Sequence, residues 1–152
     1  MISSQIKFGA ANAIPDSDGL FPVNVFSPAA DNYINKLKVS LNYQGESEVY
    51  LRVKVLKEWK LEQKVDGLTE IAALSNSPLT AYDVLSGWYD KRKYDGYFYC
   101  KTPPDAGTAM NIPLITGASN YWRDPEYMPQ VNDYPKLIMR MCVIAEAVQT
   151  NC

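Results

Sequence analysis

The sequence predicts an all-β protein, a single antiparallel β-sandwich with an N-terminal arm and at most a short helix. Three observations lead there. Two runs, Lys36–Tyr43 and Val49–Val55, alternate strictly between apolar and polar residues across the glycine-containing segment Gln44-Gly45-Glu46-Ser47-Glu48, the period of half-buried strands. The last long run, Leu137–Gln149, is rich in β-favouring Ile and Val. Finally, 152 residues with 47% hydrophobic and 21% charged side chains make one domain with a core of its own. An amphipathic sheet needs such a core, because a lone hairpin is not stable in water.

Residues 1–30 read as an N-terminal arm or edge strands. Their apolar residues alternate imperfectly, and Pro15, Pro22 and Pro28 interrupt any hydrogen-bonded ladder. Residues 31–152 read as the sandwich. Within it, 36–43 and 48–56 are expected to be adjacent strands. Leu37, Val39, Leu41, Leu51, Val53 and Val55 should be buried, and Lys38, Arg52 and Lys54 exposed. Ser77 to Gly87 has an N-cap serine, a proline at the first helical position and a glycine stop, so a short helix is expected there. Trp88-Tyr89 and Tyr94–Lys101 suggest a strand or a hairpin around Asp90–Lys93. Thr102–Gly107 suggests a turn, Ile112–Ile115 a short strand despite Pro113, and 118–135 a loop.

Charge and composition narrow the function. With 15 basic and 17 acidic residues, well mixed, the net charge of −2 gives no basic stripe for nucleic acid. No apolar run is long enough for a membrane helix, and Met1–Phe8 lacks the features of a signal peptide. The protein is therefore either not secreted or already processed. Histidine is absent, which removes Ser-His-Asp, Cys-His and HExxH chemistry together. Glu46 with Glu48, or Asp16 with Asp18, are the carboxylate pairs on offer, and both lie in polar turn sequence that solvent explains better. Asp16-Ser17-Asp18-Gly19 begins like a calcium loop but lacks the downstream glutamate. No catalytic residue, metal site or cofactor is expected. Cys100 and Cys142 are either two small buried hydrophobes or a bridge between neighbouring strands, and Cys152 is a free thiol or an intermolecular link. The 11 tyrosines and 3 tryptophans, many between Tyr82 and Trp122, fit core packing, a protein interface or carbohydrate stacking.

Three segments together resemble the TasA/camelysin family of surface and biofilm-fibre proteins. They are Ser47–Val55, then Tyr94–Cys100 followed by Pro103–Gly107 and Pro113–Thr116, then Val143–Gln149. The resemblance implies a jelly-roll-like sandwich at the cell surface whose copies join into fibres by lending an N-terminal strand. Family members have been associated with peptidase activity, but this chain has no zinc motif to receive it.

The expected function is a non-enzymatic structural protein, a self-assembling subunit of an extracellular fibre or surface layer. The alternatives are a phage virion structural or decoration protein, and thirdly an adhesin or carbohydrate-binding module. The expected partners are further copies of the chain and other structural proteins of the same assembly. Ile2, Ile6, Phe8, Leu20, Val23, Val25 and Phe26 are the expected subunit interface, since these apolar side chains must dock on their own domain or on a neighbour.

Overall fold

The computed structural model describes residues 2–24, 28–45, 47–65, 68–73, 81–101, 110–119 and 136–149. Among the described residues eleven strands run in chain order: β1 (Ile2–Phe8), β2 (Ala11–Asn12), β3 (Phe21–Val23), β4 (Leu37–Tyr43), β5 (Val49–Val65), β6 (Leu68–Ala73), β7 (Ala81–Val84), β8 (Trp88–Lys91), β9 (Tyr97–Cys100), β10 (Met110–Ser119) and β11 (Lys136–Gln149). A single 3₁₀ turn, Ile34–Lys36, precedes β4. One sheet has the order β2-β1-β4-β10-β7; the other has β3-β11-β5-β9-β8, with β6 also on β5. All pairs between these strands are antiparallel. The protein is an all-β sandwich.

Apolar side chains from both sheets meet between them. Leu37, Val39, Leu41 and Tyr43 on β4 face Leu51, Val53, Phe98, Met139 and Met141 of the other sheet, all within one buried cluster. The longest feature is the β5–β11 ribbon, paired continuously from Val49↔Gln149 to Glu62↔Lys136. At about 3.3 Å per residue, the 17 residues of β5 extend roughly 55 Å.

The burial pattern of the two alternating runs follows the sequence, but their pairing does not. Leu37, Val39, Leu41, Leu51 and Val53 are buried and Lys38 is exposed, as expected; Val55 is half-buried. Arg52 and Lys54 are half-buried rather than exposed, with the guanidinium of one and the ammonium of the other over the Tyr97 ring. The expected hairpin between 36–43 and 48–56 is absent: β4 pairs with β1 and β10, while β5 pairs with β11, β9 and β6. The connection crosses from one sheet to the other, and the Tyr43 hydroxyl donates to the Ser47 carbonyl at 2.5 Å within it. Alternation specifies which face is apolar, and that face is satisfied as well by a strand opposite as by one alongside.

The helix expected over 77–87 is replaced at Ala81–Val84 by β7, which pairs with β10, while residues 74–80 lie outside the described residues. The strand expected at Ile112–Ile115 extends over Met110–Ser119, so Ala118 and Ser119 belong to it rather than to a loop. It accommodates Pro113 through a register shift between Pro113 and Ile115. The Pro113 carbonyl accepts a hydrogen bond from Trp88 Nε1 at 2.9 Å. The expected Trp88–Lys101 hairpin is present as β8 and β9. The turn expected at 102–107 and the rest of the 118–135 loop lie outside the described residues.

Candidate functional surfaces

The first candidate surface is the N-terminal strand. β1 pairs with β4 along its whole length, from Ile2↔Tyr43 to Phe8↔Leu37. Ile6 and Phe8 point inward and are only 5% and 8% exposed, while Ile2 packs half-buried against the same cluster and Ser4 is exposed. On its other side β1 meets β2 at Lys7 and Phe8, and among the described residues Ile2–Gln5 has strand pairing on one side alone. Val23 on β3 is buried in the core, and Leu20 is half-buried. Of the seven expected interface residues, Ile6, Phe8 and Val23 are thus buried within their own chain, and Val25 and Phe26 lie outside the described residues. The proline-bearing edge expected in this region is β3, where Pro22 pairs with Arg140 of β11.

Between β2 and β3 the chain is pinned by one side chain. Asp16 Oδ1 accepts the backbone N–H groups of Asp18 and Leu20, at 2.9 and 3.1 Å, closing a turn in which Gly19 takes a φ of 79°. The outer oxygens of Asp16 and Asp18 face Arg140, with Nε 2.9 Å from Asp16 Oδ2 and Nη2 2.8 Å from Asp18 Oδ2. Glu58 adds a third carboxylate at 3.5 Å from Nη1. Partial burial pushes the Asp16 carboxyl up, but the two backbone donors and Arg140 together outweigh it and hold the group below the usual carboxylate value. The sequence that begins like a calcium loop therefore presents its oxygens to a guanidinium.

The second candidate surface is the outer face of the six-stranded sheet. Registers across β11, β5, β9 and β8 align Glu146, Arg52, Tyr99 and Tyr89 in one row, and Ile144, Lys54, Tyr97 and Lys91 in the next. Arg52 stacks over the Tyr97 ring at 4.1 Å and bonds Glu146 Oε2 through Nε at 2.6 Å. The Tyr97 hydroxyl also donates to Glu146, at 3.3 Å. The hydrogen bond to Glu146 raises the Arg52 pKa above its already high value. The Tyr99 hydroxyl donates to the Asp95 carboxylate, which raises the phenol pKa and lowers that of Asp95. The β8–β9 turn is closed by Gly96 at a φ of 86° and by backbone bonds from Tyr94 and Asp95 to Lys91.

Beside this network lies an open groove of about 620 Å³ lined by Tyr50, Tyr89, Tyr94, Tyr99, Lys91 and Lys101, with Asp95 and Cys100 completing it. Tyr50, Tyr89 and Tyr94 are 57%, 52% and 84% exposed. The opposite outer face, on the five-stranded sheet, is unlike it: Ser3, Gln5, Lys7, Lys38, Ser40, Asn42 and Asn111 make a small polar surface. Tyrosine and arginine are the residue types enriched where proteins bind. The sequence marks the aromatic region, while the strand register selects which rings face out.

Cys100 and Cys142 are not joined in a disulfide. β5 separates their strands, and Cys100 packs against the core whereas Cys142 shares the outward parity of Ile144 and Glu146. Neighbouring strands and a shared face, the two conditions for a bridge, are both missing. Comparison with family models, curated proteins and solved structures finds no match.

Proposed function

We propose that the protein is a non-enzymatic structural subunit that self-assembles into an extracellular fibre or surface layer by exchanging its N-terminal strand. The observation that carries this reading is the docking of β1: seven residues of full pairing with β4, and Ile6 and Phe8 set in the core. Residues 13–20 join the β1–β2 pair to β3, which is held on β11, and extension of this link would let β1 of one copy, with β2, fill the same slot in another. Exchange then conserves the β1–β4 ladder and the burial of Ile6 and Phe8, and its cost is the opening of the Asp16 turn together with the entropy of association. The resemblance of Ser47–Val55, Tyr94–Cys100 and Val143–Gln149 to segments of the TasA/camelysin family favours the same role and an extracellular setting.

A reversible lock tests this. Ser3 and Asn42 are directly opposed on the polar outer face, within the Cα separation that a disulfide spans. A Ser3→Cys/Asn42→Cys variant, oxidised as a monomer, is expected to stay folded and fail to assemble, and to assemble after reduction. Assembly of the oxidised form to the same extent as the wild type, by light scattering and electron microscopy, would exclude strand exchange as the connector.

A further inference from the structure

We propose that the tyrosine groove across β5, β9 and β8 is a binding site for an acidic carbohydrate, a chain of pyranose rings bearing carboxylates or sulfates. The site is on the sheet opposite β1, so this assignment is independent of strand exchange.

Charge sets the sign of the ligand. Lys91 Nζ lies 5.4 Å from the Tyr94 ring and 5.9 Å from Tyr89, and Lys101 Nζ lies 4.8 Å from Tyr89. Among the described residues, neither lysine is in an ion pair. Asp95, the carboxylate in the lining, is taken by the Tyr99 hydroxyl and the Tyr97 backbone N–H. On a chain of net charge −2, this groove therefore concentrates two ammonium groups held by aromatic rings rather than by acids. Ring contact restricts the lysine stems before any ligand arrives, which lowers the entropy lost on binding.

Geometry selects the class. The groove crosses the face of a sheet whose backbone groups are engaged in strand pairing between β5, β9 and β8. An extended peptide would find no main-chain ladder along that face, and with it would lose the principal source of affinity in strand addition. Nucleic acid draws its affinity from many phosphate contacts, and two lysines supply few. A sugar ring needs what is present: exposed aromatic surface for its apolar side, phenolic hydroxyls that both donate and accept, and cations for its acid groups. With adjacent strands about 4.8 Å apart, the span from β5 to β8 is roughly 10 Å, which suits a short run of rings rather than a single one.

The test is calorimetric titration of the full chain with a hexamer of galacturonic acid, a neutral hexamer of galactose, a glutamate hexapeptide and a thymidine oligonucleotide. The uronate is expected to bind at least about tenfold tighter than the other three, and more weakly as salt is raised. Lys91→Ala/Lys101→Ala is expected to reduce uronate affinity by about tenfold or more, and Tyr94→Ala to reduce it with the lysines intact. Both variants alter exposed side chains, and circular dichroism checks that they fold. The proposal is overturned by any of three results: no heat with the uronate at on the order of 1 mM, equal or tighter binding of another probe, or uronate affinity unchanged in the double-lysine variant.

Discussion

Phe8→Ala measures how firmly the N-terminal strand is part of the domain. Phe8 is 8% exposed, belongs to the central cluster and sits opposite Leu37 at the end of the β1–β4 ladder. Truncating a buried phenylalanine to alanine costs about 3–5 kcal/mol. The nearby chain end of β1 at the Gly9-Ala10 turn gives the surroundings room to relax, so about 3 kcal/mol is the expected loss. For a chain of this length that corresponds to a fall in Tm of roughly 9 °C. Urea unfolding should show a lower midpoint with an unchanged m-value, since the arm unfolds with the rest. A loss below about 1 kcal/mol, or a separate early transition that leaves the main one in place, would refute integral docking. The same weakening of the closed form should make β1 easier to release. If Phe8→Ala neither alters assembly rate nor exposes the arm to protease, β1 release does not limit assembly.

Four further outcomes follow from charged groups. Arg140→Ala removes the cation that holds Asp16 and Asp18, and should speed hydrogen exchange at Leu20 and cleavage in 13–20; unchanged exchange would show that the backbone bonds to Asp16 suffice alone. Because the Asp16 pKa is lowered in the fold, its stabilisation is complete above the usual carboxylate value and is lost as pH falls through the lowered one, which an acid titration followed by NMR would detect. Lys57, inward on β5 opposite Met141, has its pKa drawn down to about 8 by burial, with a smaller contribution from Arg92. The penalty on its charged form is full below pH 8 and relieved between about 8 and 10.5. Lys57→Met should therefore stabilise the protein by on the order of 2 kcal/mol at pH 7 and lose that advantage by pH 10.5; a difference independent of pH would contradict the assignment. Glu146→Gln should lower Tm only slightly, and less still as salt is raised, because the pair with Arg52 is partly exposed and screened by solvent; a large loss of Tm would contradict this.

Much of the local structure was legible. Alternation in Leu37–Tyr43 and Val49–Val55 announced both strands and their buried faces, and the Trp88–Lys101 hairpin was visible in its flanking aromatics. The partners of those strands were not legible. Leu41 meets Leu51 and Val53 within the core from the facing sheet, and the same period-2 pattern would have served a hairpin equally well. At 81–84, an N-cap serine, a first-turn proline and a glycine stop pointed to a helix, yet pairing with β10 made Ala81–Val84 a strand. Long-range pairing there outweighed local signals.

The surfaces divide in the same way. The sequence by itself determined an all-β chain, through its alternating runs, without histidine and with an apolar N-terminal segment and many tyrosines. Only the tertiary structure decided that Ile6, Phe8 and Val23 sit in their own core, that Arg140 collects Asp16, Asp18 and Glu58, and that Tyr50, Tyr89 and Tyr94 open onto one groove. A strand's two faces are fixed by residues next to each other in sequence, whereas which strands lie alongside, and hence which side chains share a surface, depends on pairings such as Arg52 with Glu146 that span most of the chain.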